Sequence, residues 1–270
     1  MKICLAMILL GASAVSSAAA TLPPAVAESG VLRIANTPNY PPLEFKDPAT
    51  NVLMGFDIDL GAAIAAKLGA EISWEETAFS AMLSALETGR VDMIMSGMSD
   101  LPDRHASATF VDYLRSGPQF FVREEDAATF STVADVCGKR VGASRRTSYP
   151  AEIDKWSTEN CGDNPVEFVG TDGSADARSQ LRQGRIDVAV QGNETLPYVM
   201  DQDPGIYHPV GEPISYQLIG MAFPVDQSDF HADVVDALDG LIADGTYGDL
   251  LEKWNLVGSG VEKATINGVD

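Results

Sequence analysis

Hydrophobic and polar positions alternate between two periods along this chain, and the switches between them mark its elements. Val31-Leu32-Arg33-Ile34-Ala35 is a short apolar run with the character of a strand. Residues 57–68 then place Leu60, Ile64 and Leu68 four apart, the stripe of a helix buried on one face, and Gly69 supplies the stop. A strand is expected at 71–74, a helix at 80–88 ending at Gly89, and a strand at 91–95. After residue 130 the same grammar returns, with strand 139–143, a helix after Thr147, strand 166–169, helix 174–182 and strand 186–190. The apolar run 214–223 reads as a returning strand, and 226–254 is helical in pattern. Strands alternating with helices of this length predict an α/β protein built on parallel-dominated sheets.

One internal similarity organises these elements. Leu86-Glu87-Thr88-Gly89-Arg90-Val91-Asp92 recurs as Leu181-Arg182-Gln183-Gly184-Arg185-Ile186-Asp187, each a helix end, a glycine stop and a buried strand. Two ordinary junctions can coincide by chance. The alternative is two lobes of one topology, the first from 30–116 plus 222–257 and the second from 121–214, leaving 258–270 as a tail. Ser116 to Phe121 and the 214–223 run would cross between them and permit hinge closure. Ligands sit beyond the carboxyl ends of strands in open α/β sheets, so two such edges facing each other predict an interlobe site.

The first residues lie outside this pattern. Lys2 precedes an apolar run from Ile3 to Val15, too short for a membrane span, and Ala18-Ala19-Ala20 offers a cleavage site. Residues 1–20 are therefore expected to be a signal peptide, with Ala25-Val26-Ala27 as a second cleavage candidate. Export changes the reading of the cysteines. Cys137 and Cys161 remain after cleavage, and an even count in an oxidising compartment predicts a disulfide, the alternative being two separate buried thiols. The three histidines show no ligand spacing with them, so no metal site is expected. Charge narrows the partners: 39 acidic residues stand against 18 basic ones, and a net charge of -21 repels phosphate backbones and anionic lipid. A nucleic-acid role is excluded on that ground.

Candidate chemistry is sparse. No GxSxG, HExxH, P-loop or strand-following GxGxxG occurs, so no catalytic residue and no cofactor is expected. A binding site has better material. Ser99 is placed to cap a short helix before Pro102, and Arg104 offers a planar fork for a carboxylate, although in isolation a surface ion pair would serve as well. Tyr40 and Phe79 stand at strand-to-helix junctions, where aromatic walls enclose a ligand.

These residues carry a resemblance. Asn39-Tyr40-Pro41-Pro42-Leu43-Glu44-Phe45, Gly55-Phe56-Asp57-Ile58-Asp59-Leu60, Ser96-Gly97-Met98-Ser99 with Arg104, and Gly245-Thr246-Tyr247 with Lys253-Trp254 resemble the polar-amino-acid type (family 3) of periplasmic solute-binding proteins. The resemblance spans about residues 30 to 257. It implies the type II two-lobed fold with a hinge, a periplasmic location, delivery of solute to the membrane permease of an ABC importer, and a monomer. By the same resemblance Tyr40 and Phe79 sandwich the ligand, Ser96, Gly97, Ser99 and Arg104 hold its α-carboxylate, and Thr147-Ser148 completes that site from the second lobe.

Two departures stand out. The aspartate that pairs with the ligand's α-ammonium in the family is Gly192 here, with Asn193 or Glu194 as the nearest substitutes, and the family's glycine before the threonine turn is Arg146, next to Arg145. If either arginine faces the cleft, the ligand is expected to bear a second acid group or to lack a free α-amine; otherwise both point to solvent. The runner-up is a periplasmic dehydratase acting on prephenate or arogenate on the same scaffold, for which Glu194 is the local acid candidate, and a receptor sensor domain is a third class.

Overall fold

The computed structural model describes residues 21–269; the expected signal peptide at 1–20 lies outside them. In chain order the elements are α1 (Pro24–Ser29), β1 (Val31–Asn36), β2 (Asn39–Tyr40), β3 (Glu44–Lys46), β4 (Leu53–Met54), α2 (Phe56–Leu68), β5 (Glu71–Glu76), α3 (Met82–Glu87), β6 (Met93–Ile94), β7 (Thr109–Ser116) and β8 (Pro118–Arg123). There follow β9 (Arg140–Ser144), α4 (Tyr149–Asn160), β10 (Glu167–Thr171), α5 (Ser174–Arg182), β11 (Val188–Gly192), α6 (Leu196–Gln202), β12 (Tyr207–Val210), β13 (Gln217–Phe223), α7 (Ser228–Ala243), α8 (Thr246–Lys253) and β14 (Gly260–Ile266). Two lobes result. The first sheet has the order β14-β7-β13-β6-β1-β5 and the second β10-β9-β11-β8-β12, while β2, β3 and β4 form a small third sheet beside the first.

Both sheets are mixed, which corrects the expectation of parallel-dominated ones. β1 pairs in parallel with β5 and β6, and β9 with β10 and β11. The crossing strands β8 and β13 instead run antiparallel to their neighbours, because each enters its sheet from the other lobe. A second correction concerns 258–270. Residues 260–266 are β14, the edge strand beside β7, held by Thr265 Oγ1 and the Gly268 amide donating to Asp112 at 2.8 and 2.9 Å. The helical run 226–254 is two helices, broken at Gly245 with φ of 88°.

The recurring heptapeptide has one structural meaning. Gly89 and Gly184 adopt left-handed φ of 67° and 68°, and the aspartate three residues on grips the arginine of the neighbouring parallel strand. Asp92 accepts from the Arg33 backbone amide at 2.8 Å and from its guanidinium at 3.0 and 2.6 Å. Asp187 accepts from the Arg140 amide at 3.0 Å and its guanidinium at 3.0 and 2.6 Å. This bidentate pair holds the Asp187 carboxyl below its ordinary pKa. The same clamp thus pins the same two strands in each lobe.

Packing follows the helical stripe read from the sequence. Phe56, Leu60, Ile64 and Leu68 of α2 are buried in the first-lobe core with Phe230, Val234 and Leu238 of α7 and with Val26 of α1. Cleavage after residue 27 would remove Val26 from that core. The second core is built on Phe120, Val141, Ile153, Trp156 and Val188. Cys137 and Cys161 are joined, and their bond ties the start of β9 to the end of α4. Among the described residues no helix is long and apolar enough to cross a membrane.

The disulfide spans 24 positions, and closing such a loop in the unfolded chain stabilises the fold by about 3 kcal/mol. The Cys137→Ser/Cys161→Ser double variant is expected to melt roughly 6–12 °C lower by calorimetry. An unchanged midpoint would show that the bond does not constrain the unfolded chain.

Candidate functional site

The carboxyl ends of β1 and β6 in one lobe face those of β9 and β10 in the other, and a cavity of about 210 Å³ lies between them. That is smaller than the roughly 300–1,000 Å³ of drug-sized pockets and on the scale of a small solute. The cleft brings together eight of the ten residues expected from sequence: Tyr40, Phe79, Ser96, Gly97, Ser99, Arg104, Thr147 and Ser148.

Its floor is a buried carboxyl network. Gly97 takes a φ of 54°, which favours glycine, and a Cβ there would lie 3.0–3.3 Å from Leu43 and the Tyr40 ring, so a larger residue would be strained and would push the aromatic wall back by a few tenths of an ångström. The Gly97 amide points inward to Asp57 Oδ2 at 3.1 Å, and Tyr113 donates to the other Asp57 oxygen at 2.8 Å. Ser96 likewise turns inward, donating to Glu44 Oε1 at 2.7 Å and accepting from the Thr37 amide at 3.0 Å. Burial pushes the Asp57 carboxyl up to about 6, against the lowering effect of these donors. Burial and the neighbouring Asp57 raise Glu44 well above the carboxylate range. Its Oε2 is buried without a hydrogen-bond partner. Ser96 and Gly97 therefore line the cleft while using their donors to hold its floor.

Arg104 is presented differently from expectation. Ser99 caps no helix; the turn Pro102–Arg104 is a single 3-10 turn preceded by Leu101. Arg104 instead folds back so that Nη1 donates to the Ser99 carbonyl at 2.6 Å. Burial lowers the Arg104 pKa, so an arriving anion would relieve a desolvated charge. Opposite it, α4 and α5 both begin at the cleft: Thr147, Ser148 and Tyr149 open one, Gly173 and Ser174 the other. Neither N-cap residue caps its helix with its side chain. At α4 the Tyr149 amide donates to Thr147 Oγ1 at 3.2 Å and Pro150 has no N–H, so free first-turn amides come chiefly from α5. Both helices turn the positive ends of their dipoles to the cavity.

The two arginines that sequence left open separate cleanly. Arg145 turns away to Asp172 and the Gly170 carbonyl at 2.8 and 2.6 Å. Arg146 lines the cleft and reaches Ser80 of the first lobe at 3.2 Å.

Gly192 and Asn193 are not part of the lining. Asn193 is bound to the crossing segment, exchanging hydrogen bonds with Gly117 at 2.8 and 2.9 Å. A Cβ at Gly192 would lie 2.2–2.5 Å from the Glu194 carboxyl, so that carboxyl already fills the space into which a side chain at 192 would grow. Glu194 is buried and accepts from the Ser116 hydroxyl and, at 2.9 Å, from the Tyr40 hydroxyl. The Tyr149 hydroxyl, 2.9 Å from that of Tyr40, is then left to donate. Sequence reasoning missed Glu44, Ser144, Tyr149 and Asp172–Ser174 as lining residues. The strand-end rule alone would have found Ser144 and Asp172, which close β9 and follow β10.

Residues 32–257 match the family model of the bacterial extracellular solute-binding proteins, family 3. The chain belongs to that family. It is 28% identical over 251 residues to an arginine-binding protein of Corynebacterium glutamicum, covering 92% of this chain and 82% of the relative. It is 28% identical to an L-cystine-binding protein of Escherichia coli over 230 residues, 85% of this chain and 84% of the other. Among solved structures, an ancestral arginine-binding protein bound to arginine superposes with a TM-score of 0.75 at 29% identity, over 83% of this chain and 98% of that one. An ancestral amino acid-binding protein described as a precursor of cyclohexadienyl dehydratase gives 0.73 at 25% identity, over 85% and 97%.

The buried floor of this solute-binding protein makes its stability depend on pH. Asp57 rises from 3.8 to about 6 on folding, so the native state holds a proton that the unfolded chain has released. Its contribution is complete below about pH 4 and is lost as pH rises through about 6. Asp112, also pushed up to about 6 by burial, acts in the same direction. The melting midpoint is expected to fall by several degrees between pH 4.5 and 6.5, and Asp57→Asn to flatten that slope. A variant with the full wild-type slope would show that Asp57 does not carry this dependence.

Proposed function

We propose that this family 3 protein captures a small carboxylate-bearing solute, an amino acid or a related acid, between its lobes and hands it to the membrane permease of an ABC importer. The observation that carries this reading is Arg104, a half-buried guanidinium facing a cavity onto which the N-termini of α4 and α5 open. A carboxylate there receives a planar fork from one lobe and backbone amides from the other. Such a ligand contacts both walls at once, so it favours the closed arrangement by whatever those extra contacts are worth. Tyr40 and Phe79 line the same cavity and would cover the solute's apolar part.

The protein works as a binder rather than an enzyme on this reading. Glu194, the acid that a dehydratase would use, is held by Ser116 and Tyr40 outside the lining of the cavity. The joined Cys137 and Cys161 suit an oxidising compartment, in keeping with export through a signal peptide ending near residue 20 and action in the periplasm; the monomer follows from the family resemblance alone.

Isothermal titration of the mature, oxidised protein with the common amino acids and related acids is expected to find a ligand in the micromolar range or tighter. Arg104→Gln should weaken that ligand about 100-fold or more, the scale for removing one partner of a desolvated charge pair. Binding that survives Arg104→Gln unchanged would remove Arg104 from the site. Consumption of prephenate or arogenate by the wild-type protein would replace this reading with the dehydratase.

A further inference from the structure

We infer that the solute carries two acid groups, one held by Arg104 of the first lobe and the other by Arg146 of the second. The inference rests on the binding role proposed above and names the chemical class of its ligand.

Three observations carry it. First, among the described residues Arg33, Arg123, Arg140, Arg145 and Arg182 each pair with a carboxylate. Of those that do not, Arg90, Arg115, Arg178 and Arg185 lie outside the lining of the cavity. Arg104 and Arg146, which both line the cavity, have no carboxylate within ion-pair distance among the described residues; their bonds are to the Ser99 carbonyl and the Ser80 hydroxyl. Each guanidinium keeps most of its five donors for something else.

Second, Asp100 and Asp103 act on Arg104 only from beyond ion-pair distance and lie outside the lining, and the acids within or beside the cavity are engaged elsewhere. Glu194 fills the space beside Gly192 and has both oxygens occupied by Ser116 and Tyr40. Asp172 lines the cavity but is paired with Arg145. Glu44 lies on the floor, where burial and then the neighbouring Asp57 favour its neutral form. A neutral carboxyl donates a hydrogen bond instead of compensating a ligand cation. Third, the second lobe turns the starts of α4 and α5 to the same cavity as Arg146, and the positive ends of their dipoles add to its potential.

The cavity is therefore rich in donors and poor in ionised acceptors. A solute with a cationic side chain, such as arginine, would bring its charge against Arg146. A diacid would satisfy both guanidinium groups and draw the lobes together, since the two arginines belong to opposite walls.

The test is titration of the mature, oxidised protein, unfolded and refolded to strip carried solute, with succinate, glutarate, glutamate, glutamine and arginine. One diacid is expected to bind at least about 30-fold tighter than glutamine, as one charge-assisted contact allows. Arg146→Gln should bring the affinity ratio of diacid to glutamine close to one, whatever it does to both, and Arg146→Lys should restore part of that ratio. Arg146 is exposed, and an unchanged melting midpoint will show that the variants fold. Glutamine or arginine binding tighter than every diacid, with loss in Arg104→Gln, overturns this inference and leaves the proposed function standing. A diacid preference untouched by Arg146→Gln also overturns it. No measurable binding of any solute, or binding indifferent to Arg104→Gln, overturns both.

Discussion

A single glycine separates the two lobes on the path out of the first sheet, and the arrangement of the cleft depends on how tightly that passage is held. β7 ends at Ser116, β8 begins at Pro118, and a Cβ on Gly117 between them would fall 2.1 Å from the Ser215 carbonyl on the returning chain. The two crossings therefore run in contact. Gly117 exchanges hydrogen bonds with Asn193, and the Ile214 amide donates to Pro118. With so short a connection, the carboxyl ends of the parallel strands face each other instead of solvent, and the solute site is the space between them.

That constraint also explains where the buried acids lie. Glu194 stands on the second lobe beside the crossing and is bound by Ser116 at its start and by Tyr40 of the first lobe. Glu44 and Asp57 sit directly below the Tyr40 wall, gripped by Ser96, Gly97 and Tyr113. Burying carboxyls is unfavourable unless they are hydrogen-bonded or neutral, and here hydroxyls and a backbone amide supply most of the partners. The polar floor sets the position of the aromatic wall. The cations are then left to the walls of the cavity, where an anion can reach them.

The family relationship and the cleft pull in different directions on specificity. The relatives named for arginine share the family, and the ancestral arginine-binding protein shares the fold. In this chain Arg146 stands across the cavity from Arg104, and the local acid at 194 is folded against the crossing. Fold and family thus narrow the function to solute capture, while the solute's proposed class rests on the charge of particular side chains.

Much of this was legible in the sequence because it depends on neighbours along the chain. The Leu60, Ile64 and Leu68 stripe, the glycine stops at 69, 89 and 184, and the repeated strand entry before Asp92 and Asp187 are local patterns with periods of two or 3.6 residues, and they located most of the helices and parallel strands. Arg104, Tyr40 and Phe79 could be nominated because strand ends are where such sheets bind ligands, and all three line the cavity. The tertiary structure alone decided the rest. The mixed sheets and β14 arise from pairing between segments far apart in sequence, where no local period carries the information. Which of Arg145 and Arg146 enters the cleft, and whether Gly192 or Glu194 governs its neighbourhood, turns on what already fills the surrounding space. Asp172 draws one arginine outward, and the absence of a Cβ at 192 lets a carboxyl two residues on occupy its place. Side-chain direction is settled by packing and pairing in three dimensions, and sequence order does not record it.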